Sequence, residues 1–254
     1  MTSHPPSGRN AAGGAPADVM AMSRSPELLP FGVAQIDRRL VGGGIGAAAL
    51  HEVAAASISL ADDAAATLFL GGMLARFAKT AGGRVLWAVT RFDLYAPALG
   101  QVGLEREQTE FALARQDEEV VSLMEEGLRE GAYAAVVGEV RHVSRTATRR
   151  LMLSAASSRT PAFLLRRRRR KDACPFGDPS DATTRWRIGC MASGRSPPAA
   201  TGRLQWSVEM VSQRDGEPFS VTLGACDGSG RLAASAATGG LPATGFATVS
   251  GREG

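Results

Sequence analysis

Apolar and polar positions along the chain alternate between two rhythms. DEEVVSLMEEGLREG (117–131) sets Val120, Val121, Met124 and Leu128 on one helical face, with Asp117 placed to cap its start and Gly131 to close its end. SRTATRRLMLSAASS (144–158) reads as a second helix, with Ser144 at the N-cap. Between and around them RVLWAV (84–89), TEFALA (109–114), AAVVGEV (134–140) and PAFLLR (161–166) are short runs rich in β-formers, the mark of buried strands. Strands that alternate with helices imply βαβ crossovers, and so an α/β fold whose mainly parallel sheet is flanked by helices on both faces.

The rhythm changes after Leu165. RRRRRKDACPFGDPSDATT (166–184) is first intensely basic and then rich in Pro, Gly and Asp, so it reads as an exposed basic loop. RWRIGCM (185–191), LQWSVEMVSQ (204–213) and PFSVTLG (218–224) follow as alternating strands, with Arg214-Asp215-Gly216-Glu217 as a hairpin turn. The sheet should therefore end in antiparallel strands. Residues 1–29 are rich in Pro, Gly, Ser and Ala without an apolar signal-peptide core, and read as a disordered N-terminal tail. Residues 226–254, small and glycine-rich, read as a flexible C-terminal tail, which leaves one domain over 30–225.

The helix entered near residue 60 carries the first chemical question. LHEVAAASISLADDAAATLFLGGML (50–74) has the layout of a phosphate-binding strand, loop and helix, yet its loop has no glycine and no lysine. β-Branched Ile58 also resists the positive φ angles of a phosphate cradle. Ser59 and Asp62 stand at the S-x-x-D spacing of a helix cap, and Asp62 and Asp63 would repel a triphosphate. The pattern predicts a capped, nucleotide-free helix end. Leu70, Met73, Leu74 and Phe77 recur on a core face, and Gly71 and Gly72, at about 1 kcal/mol each relative to Ala, mark close packing against a neighbour.

Composition narrows the class only a little. At 254 residues and 44% hydrophobic content the chain can build a sizeable core, and a formal charge of +4 permits nucleic-acid contact without requiring it. Cys174, Cys190 and Cys226 share no C-x-x-C spacing, which argues against a disulfide framework or zinc ribbon and fits a reducing, cytoplasmic setting. His4, His51 and His142 are scattered, so neither a metal site nor a Ser-His-Asp set can be assembled, and no cofactor is expected. No window approaches the ~18 consecutive apolar residues of a membrane span.

The order of elements resembles the RecA-type core. More closely, LWAVTRFDLYAPALGQVGLE (86–105), GAYAAVVGEVRHVSRTATRRLMLSAA (131–156) and TRWRIG (184–189) are similar to the ImuA family, RecA-related accessory proteins of the bacterial damage-inducible mutagenesis cassette. The resemblance runs through roughly residues 30–225, with DLYAPAL and VVGEV followed by a Ser-capped, arginine-bearing helix as its most specific parts. It implies partnership with a catalytically inactive Y-family polymerase homologue and a mutagenic replicative-type polymerase. Against RecA-type ATPases, VVGEV offers Gly138, with Glu139 next, where the Walker B aspartate would stand. Thr90 and Arg91 fill the region of the water-activating glutamate, with Asp93 farther along. The resemblance thus implies a RecA-like scaffold that does not hydrolyse ATP.

In RecA-type cores the loop leaving the strand equivalent to PAFLLR lines single-stranded DNA. That likeness makes Arg166, Arg167, Arg168, Arg169, Arg170 and Lys171 the candidate nucleic-acid contacts, giving phosphate affinity without base specificity. Phe176 is the one stacking candidate nearby, and Arg145, Arg149 and Arg150 read as a solvated helix face. Three functions compete. The first is a non-catalytic accessory protein of error-prone translesion DNA synthesis that meets a recombinase filament or the polymerases. The second is an ATPase with a divergent phosphate site using Arg91 or Glu139. The third is an inhibitor of a division GTPase, since the family is related to SulA-type cell-division inhibitors.

Overall fold

The computed structural model describes residues 27–167, 174–191 and 203–234. In chain order the elements are β1 (Leu28–Leu29), α1 (Ala34–Asp37), β2 (Ile45–Gly46), β3 (Leu50–Ala55), α2 (Leu60–Ala81), β4 (Arg84–Val89), α3 (Pro97–Gly100) and β5 (Thr109–Leu113). They continue as α4 (Asp117–Glu130), β6 (Tyr133–Val140), α5 (Arg145–Ser158), β7 (Ala162–Arg166), β8 (Thr184–Cys190), β9 (Gln205–Gln213), β10 (Phe219–Gly224) and β11 (Ala233–Ala234). Nine strands form one sheet in the order β11-β10-β9-β8-β3-β7-β6-β4-β5. The run from β8 to β5 is parallel, and β9, β10 and β11 are added antiparallel. This is the α/β architecture that the two rhythms predict, with helices on both faces and antiparallel strands at the C-terminal end.

Two cores lie on opposite faces of the sheet. The larger packs α2 through Phe69, Leu70, Leu74 and Phe77 against Val53, Trp87, Phe163 and Trp186. The other packs Val120, Met124 and Leu128 of α4 and Leu151 of α5 against Leu50, Val136 and Leu164. Gly71 and Gly72 are where α2 is approached most closely. A Cβ on Gly71 would stand 3.0 Å from Leu99, and one on Gly72 would stand 2.7 Å from the Cys226 sulfur. The neighbour that those glycines require is thus α3 on one side and the chain after β10 on the other.

Buried His51 of β3 sits between two fixed partners. Its Nε2 meets the Gly46 carbonyl at 2.8 Å, and a carbonyl only accepts, so Nε2 carries the proton and Nδ1 accepts from the Thr184 hydroxyl at 2.8 Å. The indole Nε1–H of Trp186 donates to the same Thr184 oxygen at 2.9 Å. Burial drives the imidazole down to about 4, against the smaller upward pull of the Gly46 carbonyl.

Three local expectations change. Gln116, not Asp117, is the N-cap residue of α4, and no side chain caps it. The Asp117 carboxylate instead accepts the backbone N–H groups of Arg141 and His142 at 3.0 and 2.9 Å, tying the start of α4 to the end of β6. Ordered chain also extends past both expected tail boundaries: Leu28 and Leu29 pair with Gly46 and Ile45, and Ala233 and Ala234 pair with Gly224 and Leu223. The Asp227 carboxylate organises this last stretch by accepting from the N–H groups of Ser229 and Arg231 and from Arg203. Ser144, Gly131 and Ser59 cap their helices where the pattern places them.

Candidate functional site

Ligands of open α/β sheets sit at the carboxyl ends of the strands, and here that edge holds the loop of residues 56–59 and the first turn of α2. Ser59 Oγ accepts the Asp62 N–H at 3.1 Å. The Asp62 carboxylate accepts the Ser57 hydroxyl at 2.5 Å and the Cys190 N–H at 2.7 Å. The helix end is therefore filled by its own side chains, and it is stitched to the end of β8.

Arg167, the first residue after β7, reaches into the same place. Its Nη1 donates to Asp63 at 2.7 Å and to Thr67 Oγ1 at 3.1 Å, while its Nε donates to Glu139 at 2.8 Å. The other Glu139 oxygen accepts the Trp87 indole N–H at 2.8 Å. Glu139 is 6% exposed and the Arg167 side chain 19%. Burial alone would lower the Arg167 guanidinium, but Glu139 and Asp63 outweigh it and raise it. Gly138 faces the opposite way, under α4, where a Cβ would collide with Met124 and stand 2.7 Å from Val120. Position 138 has no room even for a methyl, so the acid of this strand end is Glu139, and an arginine already holds it.

Around this bridge lies an open cleft of about 500 Å³, lined among others by Asp63, Thr90, Arg91, Tyr95, Glu139 and Arg167. Ile58, Leu60 and Tyr95 stand exposed on its rim.

The neighbouring arginine is committed to the other face of the sheet. Arg166 is 3% exposed, and its Nη2 donates to Asp178 at 2.8 Å and to the Arg141 carbonyl at 3.3 Å. Fully buried Glu52 of β3 stands 3.8 Å from Arg166 Nη1 and 2.9 Å from Arg185 Nε. Burial would raise the Asp178 carboxyl, but the hydrogen bond and charge of Arg166 hold it below the usual carboxylate range. Arg185 also donates to the Asp178 carbonyl at 2.9 Å and lies 5.6 Å above the buried Phe176 ring.

These distances change the reading of the basic run. Arg166 belongs to a strand and is not on an exposed loop, and Arg167 is an internal bridge; both spend their charge on carboxylates of the same chain. Arg168, Arg169, Arg170 and Lys171 lie outside the described residues. Phe176 supports Arg185 and is not exposed for stacking. Arg145 and Arg150 are exposed and paired with Asp181 and Glu125. The residues that sequence reasoning missed are Glu52, Asp63 as a bridge partner, and Asp178. A signal existed for one of them: Glu52 interrupts a wholly buried strand, and a buried carboxylate requires a cation.

Fold and site together define an α/β protein of strand-loop-helix layout in which the helix end at the strand tips is taken up by an internal cluster of serine, carboxylates and arginine. No protein-family model matches the chain. It is 33% identical over 210 residues to Protein ImuA of Caulobacter vibrioides strain NA1000 / CB15N, a match covering 78% of this chain and 84% of that protein. The ImuA of strain ATCC 19089 / CIP 103742 / CB 15 matches to the same extent. The chain belongs to the ImuA family.

Proposed function

We infer that this protein is a non-catalytic, RecA-like accessory factor of damage-inducible mutagenesis, serving error-prone translesion DNA synthesis through contacts with other proteins. Family membership supports the pathway. The observation that supports the absence of catalysis is the Arg167 bridge, which spends the helix-end Asp63 and the strand-end Glu139 on one internal cation. Partners in this reading are the Y-family polymerase homologue, the replicative-type mutagenic polymerase and a recombinase filament. Arg168 to Arg170 and Lys171 add sequence-independent affinity for single-stranded DNA.

The test is single-stranded DNA binding across a salt series, with and without ATP and Mg²⁺, for wild type and for a variant with Arg168, Arg169, Arg170 and Lys171 changed to alanine. Arg166 and Arg167 stay in place because they hold the fold. Binding that ignores ATP, weakens with salt and loses its salt slope in the variant supports the reading. Mg²⁺-dependent ATP binding overturns it in favour of an ATPase with a divergent phosphate site, and DNA binding unchanged in the variant removes the basic run from it.

A further inference from the structure

One edge of the main sheet has no partner among the described residues. β5 pairs only with β4, at the end of the strand order opposite β11. Just past it, Ala114 N–H donates inward to the Val89 carbonyl at 2.8 Å. Because backbone groups alternate sides along a strand, Ala112 and Glu110 also face β4, while Phe111 and Leu113 turn their N–H and C=O groups outward; the Thr109 N–H is already given to the Arg106 carbonyl. Native sheets blunt such edges with charge, proline or a bulge, because an open edge is a template for another chain. This one has no proline or bulge, its one charged side chain, Glu110, is paired with Arg84 of the neighbouring strand, and it has apolar side chains beside it. Leu113 is 60% exposed, and Phe92, 61% exposed, stands edge-on to Phe111 with ring centroids 6.0 Å apart.

Charge decides what fits. The stretch 105–119 that carries β5 holds six carboxylates and two arginines, in a chain whose formal net charge is +4. One of the six, Glu110, is ion-paired with Arg84 at 3.0 Å, while Asp117, Glu119 and Glu105 accept backbone N–H groups and keep their charge. Pairing two copies of β5 would set this acidic stretch against itself, which opposes a second copy of the chain as occupant. We propose that β5 is a docking edge for a partner protein, which adds a short, extended, basic segment to the sheet and sets one large apolar side chain against Phe92 and Leu113. The backbone supplies affinity in this mode, and the alternating side chains supply choice. The proposal deepens the adaptor reading above but stands apart from its DNA arm, which uses other residues.

The test uses the full chain and a fluorescent peptide, acetyl-Lys-Val-Lys-Phe-Lys-Val-Lys-amide, read by anisotropy and by amide hydrogen exchange. Binding should slow exchange at Phe111 and Leu113 and weaken with salt. Leu113→Pro removes one outward donor without touching the inward ladder, and Glu107→Lys lowers the acidity of the edge; each should weaken binding, the first by about tenfold for the lost bond and its neighbour. Should Leu113→Pro fail to fold, the same peptide N-methylated at alternate residues makes the equivalent cut from the other side and should lose binding equally. Three results overturn the proposal. They are no exchange protection in β5, equal binding of a glutamate-for-lysine peptide, and a concentration-dependent dimer that Leu113→Pro abolishes, which would make the occupant a second copy.

Discussion

Arg167→Met isolates the bridge at the strand ends. Methionine keeps the aliphatic stem and deletes the guanidinium, leaving Glu139, 6% exposed, with the Trp87 indole as its remaining hydrogen-bond partner at 2.8 Å. Removing one member of a buried ion pair costs about 3–5 kcal/mol, because the surviving charge is left without compensation. Asp63 is 45% exposed at its side chain, so its share is that of a surface pair. The expected loss is about 3 kcal/mol, a large part of the roughly 5–15 kcal/mol that holds a domain folded. Urea unfolding followed by tryptophan fluorescence reads it, since Trp87 donates directly to Glu139. Adding Glu139→Gln to Arg167→Met keeps the acceptor for the indole and removes the orphan charge, so the double variant should recover about half of the loss or more. Asp63→Asn alone should cost no more than about 1 kcal/mol. An Arg167→Met protein within about 0.5 kcal/mol of wild type, or a double variant as unstable as the two single losses added, would refute the bridge as the element that closes this end of the sheet.

The neutral His51 ring gives a signature in pH. Its folded value of about 4 lies below the 6.5 of an unfolded chain, so as pH falls the unfolded state takes the proton first; stability is complete above 6.5 and is lost towards 4. Wild type should lose about 3 kcal/mol over that window beyond whatever His51→Gln loses, measured as the difference between their urea midpoints at each pH. Gly72→Ala drives a methyl into the Cys226 sulfur and should cost about 1–3 kcal/mol, with much of it returned by adding Cys226→Ala. Thermal unfolding of the two single variants and the double variant measures that coupling.

The elements legible in the sequence were those with a strong local signal. The periods of 117–131 and 144–158, the apolar runs of β4, β6 and β7, and the cap serines at 59 and 144 all report forces that act within a few residues. What was not legible depends on partners far along the chain. A run of arginines looks solvated until Glu52, Asp63 and Glu139 are known to lie beside it, and those partners sit roughly thirty to more than a hundred residues earlier. The sequence position of Asp117 fits a cap, but the N–H groups of Arg141 and His142 take the same oxygen. The stretch 226–234 reads as a tail in the sequence because its glycines are weak local formers. Their absence of side chains is what lets the backbone press against α2, where a Cβ on Gly230 would strike the Gly72 carbonyl.

The placement of β3 has a consequence for synthesis. It is made well before either of its sheet neighbours: Leu50 pairs with Ala162, and His51 with Thr184. Until β7 and β8 emerge, its six residues have two open sides, and the closures they await span more than a hundred residues. A chain halted before residue 162 therefore cannot assemble the centre of its own sheet and presents bare strand edges to proteases and to aggregation. Fragments that end before β7 should therefore be far more sensitive to limited proteolysis than the full chain.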